Sequence, residues 1–177
     1  MKNLKIKHWD RGFSLLETTV AVAILVTAVL GPLSLASLSI KSSSQAKNNL
    51  IAANLAQEGM ELMRNFRANN VFVFGNSGWT AEMDSCFFAA GCQIDAATPA
   101  TVACGASCSN LNFDQNSGLY SYDAGAPTIF IRTINIETVP LGLPPSTANE
   151  IKIIVSVSWQ ERFGLQEFAL EEHLLNW

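Results

Sequence analysis

Residues 18–40 read TTVAVAILVTAVLGPLSLASLSI, a run of 23 residues without one charged side chain. At about 1.5 Å per helical residue this run reaches about 34 Å, which is enough to cross a hydrocarbon core of about 30 Å. The sequence therefore predicts a membrane-spanning helix near the N-terminus. Gly31-Pro32 lies within the run, and because proline lacks the N–H that would bond four residues back, we expect a kink or local break there.

The residues ahead of this run are mostly basic, since Lys2, Lys5, Lys7 and Arg11 accompany a single acid, Asp10. Basic residues that flank a first hydrophobic segment are usually kept in the cytoplasm. We therefore expect a single-pass protein of the inner (cytoplasmic) membrane. Its N-terminus would be cytoplasmic, and the residues beyond the span would be exported.

The negative charge of the part predicted to be exported argues against nucleic acid as a partner. Without residues 1–12 the chain keeps 7 Lys and Arg against 14 Asp and Glu, a formal charge of −7. Residues 69–149 contain one basic residue, Arg132, beside six carboxylates. A surface that neutralises phosphates needs clustered Lys and Arg, so no nucleic acid is expected among the partners.

Four cysteines lie in the part predicted to be exported: Cys86, Cys92, Cys104 and Cys108. In an oxidising compartment an even count favours disulfides, and we expect two, with local and nested pairings both open. A four-thiolate zinc site and free thiols are the rivals. The usual C-x2-C pairs of zinc sites are replaced by C-x5-C and C-x3-C, so neither a metal nor another cofactor is expected.

Apolar residues at helical spacing continue beyond the span and extend the predicted helix to residue 68. They are Ile51, Ala52, Leu55, Gly59, Leu62, Met63 and Phe66. A helix over 13–68 would be about 84 Å long, so only its second half can pack on this chain's own domain, and 13–40 must meet lipid or neighbouring chains. Asn69-Asn70 predicts its end, because asparagine favours caps and turns.

Three strands are predicted near the C-terminus, over 128–138, 150–160 and 165–175. The inward residues of the second are Ile151, Ile153, Val155, Val157 and Trp159, and those of the third are Phe168, Leu170 and Leu174. Between these two strands Gly164 can take the positive φ of a short hairpin connection. Residues 71–126 read as loops with short strands. The predicted fold is α+β: a long N-terminal helix packed by its C-terminal half on an antiparallel sheet of about four strands.

The stretch Arg11-Gly12-Phe13-Ser14-Leu15-Leu16-Glu17 resembles the prepilin processing motif of type IV pilins and of the pseudopilins of type II secretion. That motif has Gly before the cut, an apolar residue after it, and Glu as the fifth residue of the mature chain. The resemblance implies cleavage between Gly12 and Phe13 and N-methylation of the Phe13 amine. It divides the chain into a leader at 1–12, a long helix at 13–68 that spans the membrane over 13–40, and a head domain at 69–177.

The same resemblance implies a pilin-like fold and a set of partners. These are other pilin subunits in a filament, a prepilin peptidase and methyltransferase, an inner-membrane assembly platform, and membrane lipid. Residues 155–177, with Trp159, Gly164 and a closing Leu-Leu-Asn-Trp, are also similar to the last hairpin of some minor pilins. We therefore expect a structural subunit, more specifically a minor one, of a type IV pilus or related filament at the cell surface or in the periplasm.

Glu17 is a carboxylate within an apolar segment, where a charge at mid-membrane costs about 2.5–3.5 kcal/mol. In a bundle of such helices the Phe13 ammonium of a neighbouring subunit could pair with Glu17 and set the axial register. The alternative is that Glu17 lies at the headgroup boundary, where a helix N-terminus favours a negative charge. Within the full motif the pairing is the preferred interpretation.

Two other functions stay open at this level. One is a pseudopilin of a type II secretion system. The other is a soluble secreted protein with an ordinary signal peptide, since Ser34-Leu35-Ala36 before Ser37 resembles a cleavage site. The single histidine after residue 12, His173, has no nucleophile at a recognisable spacing, so an enzyme is not expected.

A weak calcium signal lies in Asn112, Asp114, Asn116 and Asp123. The spacing departs from a calcium loop, because the first position is neutral and the glycine comes one place late, at Gly118. An ordinary polar turn is the preferred interpretation.

Overall fold

The computed structural model describes residues 14–96, 98, 100–162 and 164–176. Helix α1 spans Leu15–Phe74, and short 3-10 turns occupy Asn76–Gly78, Asp84–Cys86 and Pro145–Thr147. The strands are β1 (Cys92–Ile94), β2 (Thr101–Ala103), β3 (Asn110–Phe113), β4 (Tyr120–Ser121), β5 (Ala126–Val139), β6 (Glu150–Glu161) and β7 (Gly164–Leu175). The chain divides into two compact units, Met1–Ala46 and Lys47–Trp177.

Within the first unit the described residues form only the first half of α1. The helix is unbroken through Gly31 and Pro32. The local break that we allowed for at the proline is therefore absent, because proline removes one hydrogen bond while those of the neighbouring turns remain.

Within the second unit, α1 presents one stripe of residues to the sheet. The buried residues are Ala52, Leu55, Ala56, Gly59, Met60, Met63, Phe66 and Asn70. Ile51 and Leu62, also predicted on this face, are half-buried at its borders. Gly59 is placed where the helix comes nearest the sheet: a Cβ built on it would lie 2.9 Å from Val155 Cγ1.

The helix runs six residues beyond its predicted end at residue 68. Asn70 is buried, and its side-chain amide donates to the carbonyls of Trp79 (3.4 Å) and Ala81 (2.5 Å) in the loop that follows. The asparagine therefore serves a tertiary contact instead of capping its own helix, and α1 ends at Phe74, before Gly75 with φ +72°.

Within the described residues the sheet is antiparallel and has seven strands, where the sequence predicted about four. β5 is its centre: β6 pairs along one edge from Phe130 to Val139, while β3 and β1 share the other edge. β4 and β2 extend these two short strands outward, and β7 pairs with β6 at the far side. The four strands other than β5, β6 and β7 have two to four residues each. Strands this short do not show an alternation of apolar and polar residues in the sequence.

The three long strands confirm the prediction for the C-terminal part. All five predicted inward residues of β6 are buried. On β7, Leu174 is buried, and Phe168 and Leu170 pack partly against the core. Gly164, at the start of β7, has φ +136°, as the short connection requires. The protein is thus an α+β fold in which the C-terminal half of a long helix packs on an antiparallel sheet.

Candidate functional site

The helix N-terminus is built by Ser14, which precedes the first helical residue. Its hydroxyl accepts a hydrogen bond from the Leu16 amide (3.3 Å), and its carbonyl accepts from the Thr18 amide (3.1 Å). Glu17 lies in this first turn and is exposed. A serine followed three residues later by glutamate is a typical capping sequence, and the free amides of the first turn favour a carboxylate there. The local fold therefore presents Glu17 on a well-formed helix end.

The two residues of the expected cut, Gly12 and Phe13, lie outside the described residues. Their cleavage and the N-methylation of Phe13 stay predictions. The same holds for the pairing of Glu17 with a neighbour's amine, because a single chain is present.

Beyond Glu17 the helix carries an apolar surface on all sides. Every described residue from 14 to 46 is exposed. The large apolar side chains among them are Leu15, Leu16, Val20, Val22, Ile24, Leu25, Val26, Val29, Leu30, Leu33, Leu35, Leu38 and Ile40. A water-soluble monomer rarely exposes more than a few hundred Å² of contiguous apolar surface, so this segment requires lipid or apolar neighbours. By length and composition it is a candidate membrane span near the N-terminus.

Several hydroxyl side chains in this segment hydrogen-bond to carbonyls of their own helix. The hydroxyls of Thr18 and Thr19 donate to carbonyls three residues back, each at 2.8 Å. Thr27, Ser34 and Ser37 donate to carbonyls three or four residues back, at 2.8–3.0 Å. A hydroxyl that bonds its own helix needs no water, which makes these residues compatible with a hydrocarbon environment. Between residues 14 and 40 Glu17 is the one charged side chain on this surface.

The four cysteines form two local disulfides, which resolves the pairing that the sequence left open. Cys86 bonds to Cys92, and Cys104 bonds to Cys108, with Cα–Cα distances of 4.6 Å in both. Cys86 and Cys92 belong to the hydrophobic core. The bridges tie the loop before β1 and the loop after β2 to their strands. They fit an oxidising, exported location for this unit.

A buried arginine joins the helix to the sheet; the sequence indicated the charge of Arg132 but did not predict its burial. Arg132 on β5 is 1% exposed. Its guanidinium donates to the carbonyls of Ile94 (Nη2, 2.8 Å) and Leu55 (Nη1, 3.3 Å) and lies 3.4 Å from a carboxylate oxygen of Glu58. One side chain therefore links α1, β1 and β5.

Tyr122 completes the surroundings of Arg132. Its ring centroid lies 6.0 Å from the guanidinium carbon, and its hydroxyl donates to the Arg132 carbonyl at 3.4 Å. Burial raises the pKa of the Tyr122 phenol, and the neighbouring Arg132 charge opposes that shift in part. The sequence did contain a signal for this cluster, because Arg132 occupies an inward position between Phe130 and Ile134 on β5.

Of the weak calcium candidates, Asn112 lies on β3, Asp114 and Asn116 lie in the β3–β4 connection, and Asp123 follows β4. Asp114 accepts from the Asn116 amide (2.9 Å) and the Ser117 hydroxyl (2.8 Å), which uses both carboxylate oxygens inside the β3–β4 connection. Asn112 donates to the Tyr122 carbonyl at 3.0 Å. The hydrogen bonds to Asn116 and Ser117 lower the pKa of Asp114. This is the arrangement of an Asx turn, as the preferred interpretation predicted.

His173 lies exposed on β7, where its Nδ1 is 2.6 Å from a carboxylate oxygen of Glu150. Trp159 is buried in the core, as predicted, and its indole donates to Glu161 at 3.0 Å.

Within the described residues, no three His, Cys, Asp or Glu side chains cluster closely enough to share a metal ion.

Comparison with known proteins adds no relative: no model of a protein family, no curated protein and no solved structure matches the chain.

Proposed function

We propose that this protein is a structural, minor subunit of a type IV pilus or a related filament. It would enter the membrane as a precursor, lose residues 1–12, acquire an N-methyl group on Phe13, and assemble through packing of its N-terminal helices. The observation that carries the proposal is the first half of α1. An apolar helix with all described side chains from 14 to 46 exposed continues without interruption into a folded, disulfide-containing domain.

The position of Glu17 supports assembly beyond simple anchoring. An anchor needs only the apolar run, whereas a carboxylate on the same surface costs free energy in lipid unless it meets a positive partner. A methylated Phe13 amine of a neighbouring subunit supplies that partner. Between residues 14 and 40 Glu17 is the one charged side chain, whereas the hydroxyls of Thr18, Thr19 and Thr27 donate to carbonyls of their own helix.

The N-terminus of the mature protein tests the proposal. Membranes are prepared from cells that express the full chain with its native peptidase, and the N-terminal peptide is identified by mass spectrometry. We expect a chain that begins at Phe13 with a mass increase of one methyl group. Gly12→Val should leave uncut precursor, and Gly31→Val, a matched glycine change inside the span, should not.

A mature chain that begins at Ser37 would contradict the proposal and establish a secreted protein. A chain that begins at Met1 in the same cells would also contradict it. If the start is Phe13, shearing of the cells separates a surface filament from a periplasmic pseudopilus, because only the former is released into the medium.

A further inference from the structure

β7 forms a long open edge of the sheet. Within the described part of the chain it pairs with β6 and with no other strand. It has 12 residues, whereas β2 and β4, at the other margin, have three and two. An exposed strand edge of this length is a template for another strand, and proteins usually cover or modify such edges.

The register shows which backbone groups face outward. The Asn176 amide donates to the Asn149 carbonyl at 2.9 Å, so these two residues form a hydrogen-bonded pair. In an antiparallel ladder such pairs alternate, which turns the amides and carbonyls of every second β7 residue away from β6. The outward set is Leu165, Glu167, Ala169, Glu171, His173 and Leu175. Arg67 of α1 covers the last carbonyl, that of Leu175, at 2.7 Å.

A groove runs beside this edge on the helix side of the sheet. It has a volume of about 550 Å³ and is lined by Asn54, Gln57, Glu58, Met60, Glu61, Arg64 and Leu170. At one end Arg64 is fixed by two contacts with the Glu172 carboxylate, at 2.9 and 2.7 Å. The inward side chains of a strand added to β7 would point into this groove opposite Phe168 and Leu170.

The opposite face of the sheet carries alternating charge across the strands. Glu137 on β5 pairs with Lys152 on β6 at 2.7 Å, and the next strand, β7, presents Glu171 diagonal to Lys152 and Glu167 four residues before it. Opposite charges on neighbouring strands stabilise a sheet, and like charges destabilise it. The strand that would continue this series beyond β7 is therefore basic.

The carboxylates of Glu167 and Glu171 also disfavour pairing of the β7 edge with the β7 edge of a second copy of this chain. If two β7 edges paired antiparallel about Ala169, Glu167 of one copy would lie opposite Glu171 of the other, twice in each pair. Like charges at directly opposed positions are destabilising. In this register Glu167 and Glu171 therefore disfavour self-association while leaving the backbone groups of the edge open.

We propose that the β7 edge is a docking site for an extended, basic segment of a different protein, which adds an antiparallel strand to the sheet. Recognition would use the outward backbone groups of residues 165–173. Lys or Arg residues four apart would face Glu167 and Glu171, and the two apolar residues between them would enter the groove. The segment has the form K/R-apolar-x-apolar-K/R. Strand addition of this kind is a general mode of peptide recognition, in which the backbone gives affinity and alternate side chains give specificity.

The test uses the full chain in detergent micelles and two labelled peptides, STKVTVKTS and STEVTVETS. We expect saturable binding of the lysine peptide, measured by fluorescence anisotropy, and at least about tenfold weaker binding of the glutamate peptide. The double variant Glu167→Lys/Glu171→Lys should reverse this preference, since both side chains are exposed and their exchange leaves the core unchanged.

A backbone variant separates strand addition from charge attraction alone. Ala169→Pro removes an outward amide without touching the β6 ladder, and proline is tolerated on strand edges. It should abolish peptide binding, while Ala169→Ser, which keeps the amide, should bind normally. Peptide binding should also slow hydrogen exchange of the Glu167, Ala169 and Glu171 amides.

Three results would overturn the proposal: equal binding of the two peptides, unchanged binding by Ala169→Pro, or no binding of the lysine peptide up to about 1 mM. Self-association of the chain that Ala169→Pro abolishes would identify a second copy as the occupant and refute the basic partner. Circular dichroism of each variant confirms that the sheet is intact.

Discussion

Gly59 of α1 lies directly against Arg132 of β5: a Cβ atom built on Gly59 would be 3.0 Å from Arg132 Cδ. The same Cβ would be 2.9 Å from Val155 Cγ1 of β6. The helix therefore approaches the sheet at a point where no side chain fits. There the Leu55 carbonyl accepts a hydrogen bond from the buried guanidinium, and the Glu58 carboxylate forms an ion pair with it.

Replacing this glycine by a large residue should therefore destabilise the domain. We expect Gly59→Leu to lower the free energy of unfolding by about 1–3 kcal/mol, the usual range for overpacking a core. The measurement is chemical denaturation followed by tryptophan fluorescence. Ala68→Leu, at an exposed position on the same helix, is the control and should stay within about 0.5 kcal/mol of wild type. Equal stability of the two variants would contradict the close packing.

Removal of the buried Arg132 charge should also lower the free energy of unfolding. In Arg132→Met the volume is largely kept, but the Ile94 carbonyl loses its 2.8 Å donor and stays buried. An unsatisfied buried acceptor costs about 1–3 kcal/mol, so we expect a loss of this size in the same denaturation experiment. Arg162→Met, in the exposed β6–β7 turn, provides the control. A more stable Arg132→Met protein would show that desolvation of the arginine outweighs its hydrogen bonds.

The two disulfides should contribute unequally. Each closes a short loop, with sequence separations of 6 and 4, for which chain entropy predicts about 2 kcal/mol apiece. Cys86 and Cys92 are fully buried as well, so Cys86→Ser/Cys92→Ser also places two hydroxyls in the core. We expect this pair to lower the melting temperature more than Cys104→Ser/Cys108→Ser. Peptide mapping without reductant should recover the 86–92 and 104–108 bridges, and four free thiols would refute both.

Glu17→Ala should leave membrane insertion and leader removal largely intact while blocking assembly. The change does not touch residues 18–40, and loss of a charge makes the segment more compatible with lipid. In a filament it would strand a neighbour's Phe13 ammonium, and breaking a buried pair costs about 3–5 kcal/mol, a loss of roughly 100-fold to several thousand-fold in one docking equilibrium. The measurement is the amount of processed protein in the sheared filament fraction relative to the amount in the membrane fraction.

The control for that experiment is Thr18→Ala, which removes only a hydroxyl that bonds its own helix. It should assemble normally. Glu17→Gln should show a milder defect than Glu17→Ala, because the amide keeps a hydrogen bond. Incorporation of Glu17→Ala at the wild-type level would eliminate the proposed pairing.

Asp114 should make the β3–β4 turn sensitive to acid. Its pKa is lowered by the Asn116 amide and the Ser117 hydroxyl, which bind the charged form. A group with a lowered folded pKa contributes stability that is present above its unfolded pKa, near 4, and is lost as pH falls through the folded value. We expect Asp114→Asn to be less stable than wild type at pH 7, where the charged form contributes, and to show a weaker pH dependence of unfolding below pH 4. An NMR titration of Asp114 that gives an ordinary pKa would contradict this.

The sequence by itself determined the parts of this protein that rest on long repeating patterns. The uncharged run at 18–40, the helical stripe that includes Leu55 and Phe66, and the alternation of β6 each extend over enough residues for a period to be visible. Burial then follows the period, because a helix or a strand buries one face. The Arg11–Glu17 motif is also local, so it could be identified without coordinates. The processing and assembly roles that it suggests stay a proposal.

The tertiary structure alone decided what depends on residues far apart in the chain. Asn70 reads as a helix end but remains helical, because the carbonyls of Trp79 and Ala81 accept its side chain. The short strands β1 and β3 pair with β5, and β2 and β4 pair with β1 and β3 in turn, so all four depend on partners that are distant in the chain or equally short. The disulfide pairing, 86–92 and 104–108, became visible only in the folded chain. Arg132 can be buried because a helix carbonyl and a strand carbonyl meet at its guanidinium, a coincidence of three segments that no local pattern encodes.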